Sequence, residues 1–268
     1  MLSLLAASGA VADPIYWSDL GLRPGIDLGF FTLRFYSLAY LIGVVFAYWH
    51  LSRMIKQPGA PLAQRHADDL FFYCTLGVII GGRLGYAIFY QPELWSNPLD
   101  VLKLWEGGMS FHGGLVGVLI AITWVSQRGN LSFLRVCDYI AVNVPLGMLL
   151  GRLANFNNGE LWGRPTDVSW GMVFPGGGDV VRHPSQLYQA GLEGLALLIL
   201  LMLMFWKTKA RYRPGLLVGV FTLGMGLARF VNEFFREPDA QLADFAARTG
   251  LSMGQWLTIP LILIGLIV

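Results

Sequence analysis

Charge is scarce in this chain: Asp, Glu, Lys and Arg together make up 13% of its 268 residues, against about 25% in an ordinary soluble domain. With 55% hydrophobic residues, too little polar side chain remains to coat a water-facing surface, which argues against a soluble fold. A net charge of +2, from 19 basic and 17 acidic residues, gives no support to a nucleic-acid binder. Cysteine is rarer still. Cys74 and Cys137 stand far apart and fit no metal-ligand spacing, so neither a disulfide framework nor a zinc site is expected, and no motif calls for a cofactor. Internal repeats, low-complexity tracts and dividing linkers are also missing, which leaves one domain over residues 1–268.

What the chain has instead is long apolar runs. A hydrocarbon layer of ~30 Å needs about 20 helical residues at ~1.5 Å each, and residues 35–51, 70–90, 187–206 and 216–235 supply such runs. Residues 112–126 and 139–156 are shorter or carry polar groups, and 256–268 runs into the end of the sequence. The expectation is an all-α polytopic membrane protein of about seven transmembrane helices. Residues 157–184, with the turn-forming Pro175-Gly176-Gly177-Gly178, are expected to form a small external cap between the fourth and fifth spans. At the N-terminus, residues 2–12 end in an Ala-x-Ala-like Ala10 and Ala12, but the stretch is short and no Lys or Arg precedes it; it is read as retained rather than as a cleaved signal.

Basic residues gather after the first, third and fifth spans: Arg53, Lys56 and Arg65; Arg128 and Arg135; Lys207, Lys209, Arg211 and Arg213. These loops are assigned to the cytoplasm, which puts the N-terminus outside. An arginine inside a span costs roughly 2.5 to 3.5 kcal/mol on insertion scales, so Arg83, Arg152 and Arg229 ask for a reason. All three sit in the later part of outward-running spans. His112, His183 and Tyr36 open spans at the same side, so six segments deliver polar groups to one outer layer. For each residue alone the bland alternative stands: an arginine snorkelling to the interface, or a histidine or tyrosine anchoring there. The glycine pairs Gly81/Gly85, Gly113/Gly117 and Gly147/Gly151 read first as close helix–helix contacts.

The densest polar stretch runs from Gly151 through Arg152, Asn155, Asn157, Asn158 and Glu160 to Gly163 and Arg164. Arg152 and Asn155, three apart, share a helix face. Such density beside lipid points to a substrate site, with a buried structural network as the alternative. This stretch closely resembles the signature of the prolipoprotein diacylglyceryl transferase family. The resemblance extends to residues 81–86, 107–115, 182–188 and 229–236, in order along the chain. Two departures stand out: Asn157 where the family usually has an apolar residue, and Met225 where a tyrosine is expected four residues before Arg229.

The resemblance implies transfer of the diacylglyceryl group of phosphatidylglycerol to the lipobox cysteine of a prolipoprotein signal peptide, forming a thioether and releasing glycerol phosphate. The membrane lipid and the signal peptide are then the partners. A thiol with a reference pKa of ~8.5 needs a base, and a departing phosphate needs fixed positive charge. His112 is expected as the base, and Arg152 and Arg229 as the phosphate clamp, completed by Asn155 and Tyr36. Glu160, Glu233 and Arg236 are expected around the arginines, with Arg83, Gly163 and His183 as further substrate-side residues. A transporter or a binding protein for an anionic lipid is the rival reading from the residues alone.

Overall fold

The computed structural model describes residues 14–29, 32–237 and 250–268; the N-terminal stretch at 2–12 lies outside them. The apolar runs fold as helices: α1 Phe35–Met54, α2 Gln64–Phe89, α3 Phe111–Arg128, α4 Phe133–Ala141, α5 Val144–Asn157, α6 Ser185–Gln189, α7 Leu197–Lys207, α8 Leu216–Asn232 and α9 Met253–Ile267. Four helical stretches, Phe35–Met54, Gln64–Phe89, Phe133–Asn157 and Ser185–Lys207, are long and apolar enough to cross a membrane. Leu216–Asn232 and Met253–Ile267 are shorter apolar helices.

The surface is inverted relative to a soluble protein. Tyr40, Leu41, Ile42, Val45, Ile80, Ile120 and Leu203 are more than half exposed, while Arg83, Asp138, Asn155, Glu193, Asn232 and Glu233 are buried. Apolar side chains on this scale face outward at no cost only in lipid. The polar groups inside must satisfy one another.

Glycine sets the tightest helix contact. A Cβ on Gly77 would lie 2.6 Å from the Gly117 carbonyl oxygen, and one on Gly85 2.8 Å from the Gly113 Cα, so α2 and α3 touch backbone to backbone and run antiparallel. That is the close approach expected of Gly81/Gly85 and Gly113/Gly117. The third pair behaves differently: Cβ atoms on Gly147 and Gly151 would meet nothing within 4 Å. Gly43 of α1 comes near from the other side, where an added Cβ would stand 3.3 Å from the Gly147 Cα.

The run read as one span over 139–156 is interrupted between α4 and α5. Pro145, in the first turn of α5, has no N–H to continue the ladder. Asn143 mends the break: its amide donates to the Tyr139 carbonyl at 2.8 Å, and its Oδ1 pairs with His50 Nδ1 at 2.7 Å. Trp206 Nε1 donates to His50 Nε2 at 3.0 Å, which fixes the imidazole proton on Nδ1. The span over 187–206 is not uniform either, because Ala190–Ala196 forms a π-helical segment between α6 and α7.

At the opposite end of the bundle, residues 157–184 and the N-terminal segment fold together. Strand β1 (Ile15–Tyr16) runs parallel to β4 (Met172–Val173), which pairs antiparallel with β5 (Val181–Arg182). A hairpin of β2 (Gly25–Asp27) and β3 (Thr32–Arg34) leads into α1. Trp17 Nε1 donates to the Phe156 carbonyl at 2.7 Å, and the Asn157 amide reaches the Arg23 carbonyl. Asn157, one of the two departures from the family pattern, thus pins the N-terminal segment to the end of α5.

Candidate active site

The end of α5, the start of α1, the π-helical segment and the end of α8 converge on one polar cluster. Arg152 lies within electrostatic range of Glu193, Arg229, Arg236 and Tyr36. Its one hydrogen bond, from Nη1 to Asn155 Oδ1, is long at 3.4 Å, and among the described residues no carboxylate pairs with it. Asn155 donates in turn to Glu160 Oε1 at 2.8 Å, and Asn158 donates to the same oxygen at 3.1 Å. Gln186 fixes the Glu160 backbone by donating to its carbonyl at 2.6 Å. Tyr36, within range of Glu160 and Arg152, shares a hydrogen bond with Tyr40 across 3.1 Å.

Arg229 is held differently. Its Nη2 pairs with Glu233 Oε1 at 2.8 Å, one helical turn on, and its Nη1 stands 4.0 Å from Glu193 Oε1. Arg236 Nη1 shares Glu233 Oε1 at 3.3 Å, while Ser252 Oγ donates to the other oxygen at 3.1 Å. Glu193, fully buried, also accepts from Asn232 Nδ2 at 3.0 Å, and its Oε2 has no hydrogen-bond partner among the described residues. The carboxylates therefore orient Arg229 and Arg236, while the partly buried Arg152 keeps unpaired donors. An oxyanion between Arg152 and Arg229 would complete the arrangement, because a partly desolvated guanidinium without a counter-ion is costly.

Of the residues singled out in the sequence, the structure brings together Tyr36, Arg152, Asn155, Glu160, Arg229, Glu233 and Arg236. Arg83 is occupied elsewhere. It is 4% exposed and donates to the carbonyls of Val101 at 2.7 Å, Asp100 at 2.8 Å, Lys103 and Gly108 at 3.2 Å, and Gly107. It clamps the loop that leads into α3. His112, in the first turn of α3, is exposed and touches the Phe111 ring edge-on at a centroid distance of 5.6 Å; among the described residues it has no hydrogen bond or ion pair. Gly163 and His183 belong to the small sheet's frame: Gly163 N donates to the His183 carbonyl at 2.8 Å, and His183 Nδ1 pairs with the Tyr188 hydroxyl at 3.1 Å. A Cβ on Gly163 would lie 2.8 Å from the His183 Cβ, so only glycine lets the 163 and 236 backbones bridge there. That bridge sets the backbone from which the Arg236 guanidinium reaches the cluster. Glu193 and Asn232 escaped the sequence reading. A carboxylate inside the apolar run 187–206 was the available signal, the same one that flagged the arginines.

Fold and site together define a helical membrane protein with a partly buried cluster of arginines and carboxylates at one end of its bundle. The chain belongs to the prolipoprotein diacylglyceryl transferase family, whose model matches residues 25–268. It is 71% identical over 260 residues to a phosphatidylglycerol–prolipoprotein diacylglyceryl transferase of Erythrobacter litoralis, covering 97% of this chain and 92% of the relative. Relatives of the same description from Zymomonas mobilis and Rhodospirillum rubrum are 50% and 48% identical, covering 94% and 91% of this chain and 91% and 89% of theirs.

Proposed function

We propose that this protein transfers the diacylglyceryl group of phosphatidylglycerol to the lipobox cysteine of prolipoproteins, the first step of lipoprotein lipidation. It is a transferase of the bacterial inner membrane. In the reaction the cysteine sulfur attacks the glyceryl carbon that carries the phosphate. A C–S bond forms, the C–O bond breaks, and glycerol phosphate departs with the bonding electrons while the thiol proton passes to a base. The observation that carries the reading is Arg152, a partly buried guanidinium with no carboxylate partner, beside an Arg229 already oriented by Glu233. Two such forks match the oxygens of a leaving phosphate and stabilise the charge that builds on it.

Asn155 and Glu160 hold Arg152 in place, with Tyr36 as a further donor to the phosphate. His112 remains the proposed base: it lies at the bundle end that carries the arginines, on the exposed first turn of α3, and reaches the sulfur once lipid and peptide are bound. The full bundle counts seven spans with residues 157–184 as an external cap, the N-terminus outside and the cluster at the outer leaflet. Basic loops at the other end support that orientation.

The test uses purified protein in phosphatidylglycerol nanodiscs with a lipobox peptide. The expected result is a peptide mass increase equal to one diacylglyceryl group, resistant to thioester cleavage. Peptide that stays unmodified while the protein carries lipid across vesicles would overturn the assignment in favour of transport. Lipid retained without either event would mark a binding protein.

A further inference from the structure

The end of the bundle that carries the basic loops holds a second cluster, which transferase chemistry does not use. Arg135 and Tyr139, four apart on α4, present one helix face to the turn Ala210–Tyr212. Both Arg135 and Arg211 lie within electrostatic range of the Tyr139 hydroxyl, as does Tyr212. Arg135 Nη2 donates to the Gly59 carbonyl at 2.7 Å, and Arg211 Nη2 donates to the Tyr212 hydroxyl at 3.0 Å. The Tyr212 ring lies over Gly59, where an added Cβ would stand 2.8 Å from a ring carbon. The first basic loop, the start of α4 and the third basic loop therefore meet at one point.

Among the described residues, Arg135 Nε, Arg211 Nε and the hydroxyl of Tyr139, a side chain with 0% exposure, have no partner in hydrogen-bond geometry, and the contact of the hydroxyl is with the Arg135 guanidinium itself. Negative charge is equally lacking. The near carboxylate, Asp138, acts on Arg135 through space, but its two oxygens accept from the Gly215 and Val218 amides at 2.8 and 2.9 Å, capping α8. Among the described residues, no ion pair includes Arg53, Lys56, Arg65, Arg128, Arg135, Lys207, Lys209, Arg211 or Arg213. At the opposite end Arg182, Arg229 and Arg236 all have carboxylates. A buried water would satisfy the orphaned hydrogens but not the charge. Arg135 and Arg211 are each partly exposed, so the cluster opens to the surface above the Tyr139 floor.

We propose that Arg135, Arg211 and Tyr139 form a phosphate-binding site, separate from the Arg152–Arg229 cluster, for the headgroup phosphate of an anionic lipid or for free phosphate. Guanidinium groups converging on a hydroxyl match phosphate oxygens, and basic pockets between spans are suited to acidic headgroups. The site does not depend on the transferase reading.

Delipidated full-length protein would be titrated with phosphatidic acid, and separately with inorganic phosphate, by native mass spectrometry and thermal midpoint. At saturation, wild type and Arg152→Lys should each hold one more phosphatidic acid than the Arg135→Gln/Arg211→Gln double variant. The Kd of that lipid should rise at least tenfold in the double variant. If phosphate at millimolar concentration raises the wild-type midpoint as the lipid does, and not that of the variant, free phosphate is the ligand; if only the lipid does, a headgroup is. Equal lipid counts and equal midpoints in wild type and double variant would overturn the site. Should the double variant fail to fold, Tyr139→Phe removes the hydroxyl while keeping the ring and both arginines; an unchanged Kd there overturns the proposal equally.

Discussion

Arg83 on α2 and Arg152 on α5 both interrupt apolar helices near the same end of the bundle, yet the fold uses them in opposite ways. Arg83 is 4% exposed and spends its guanidinium on the backbone carbonyls of residues 100 to 108. Arg152 is more open and has a single long hydrogen bond to Asn155. A saturated guanidinium holds structure, because every donor is committed before any ligand arrives. One with donors to spare, next to a second arginine whose position carboxylates already fix, is arranged for an anion. The depth of an arginine in a membrane thus says little about its role, and its partners say much more.

Lysine at each position is the sharpest way to break this contrast. Arg152→Lys keeps the charge but loses the fork, and losing an oxyanion donor typically costs about 10² to 10³ in kcat. Diacylglyceryl transfer should fall by that order while the thermal midpoint stays near wild type. Arg83→Lys cannot reach five carbonyls, and each buried carbonyl left without a donor costs about 1–3 kcal/mol. The expected outcome is a destabilisation of about 2–4 kcal/mol in the folded bundle, read as a lower midpoint in detergent. Turnover per folded molecule should change by less than about tenfold. A stable Arg83→Lys protein with turnover as low as that of Arg152→Lys would reverse the two roles.

The same contrast shows how far the sequence could be read. Helix positions followed from hydropathy, since a run such as 35–51 has few other ways to satisfy its backbone in lipid. Meeting of Arg152 with Arg229 at one depth followed from the alternation of spans. The partners of Arg83 did not, because they are main-chain carbonyls of a loop, and any residue supplies a carbonyl. The break before α5 was signalled by Pro145, but its repair by Asn143 and His50 joins residues 93 apart. Glu193 was overlooked although a carboxylate in an apolar run is as costly as an arginine; its importance shows only in the π-helical segment that turns it toward Arg229 and Asn232, a geometry common at functional sites.

Glu193 sharpens the contrast from the carboxylate side. Glu193→Gln keeps the shape and the acceptor for Asn232 but removes the charge that stands 4.0 Å from Arg229. As a positioning residue it should affect kcat more than KM, by roughly tenfold, about 1.4 kcal/mol of transition-state stabilisation. A change confined to KM for the lipid would instead mean that Glu193 touches the headgroup in the ground state.

The smallest effect belongs to His183, which lies in the sheet region rather than within either arginine's surroundings. Burial lowers its pKa from the ordinary histidine range, opposed by the charge of Asp167. The folded protein therefore binds this proton less readily than the unfolded chain, whose histidine titrates near ~6.5. Above that pH both states are neutral and His183 has no effect on the pH slope. As pH falls below it the unfolded state gains the proton first, so stability declines down to the folded pKa and then levels off. His183→Gln retains a polar group toward Tyr188 and removes the titration. Its midpoint should drop less than that of wild type between about pH 7.5 and pH 5. Identical drops would show that the neutral imidazole between Tyr188 and Phe235 contributes packing alone.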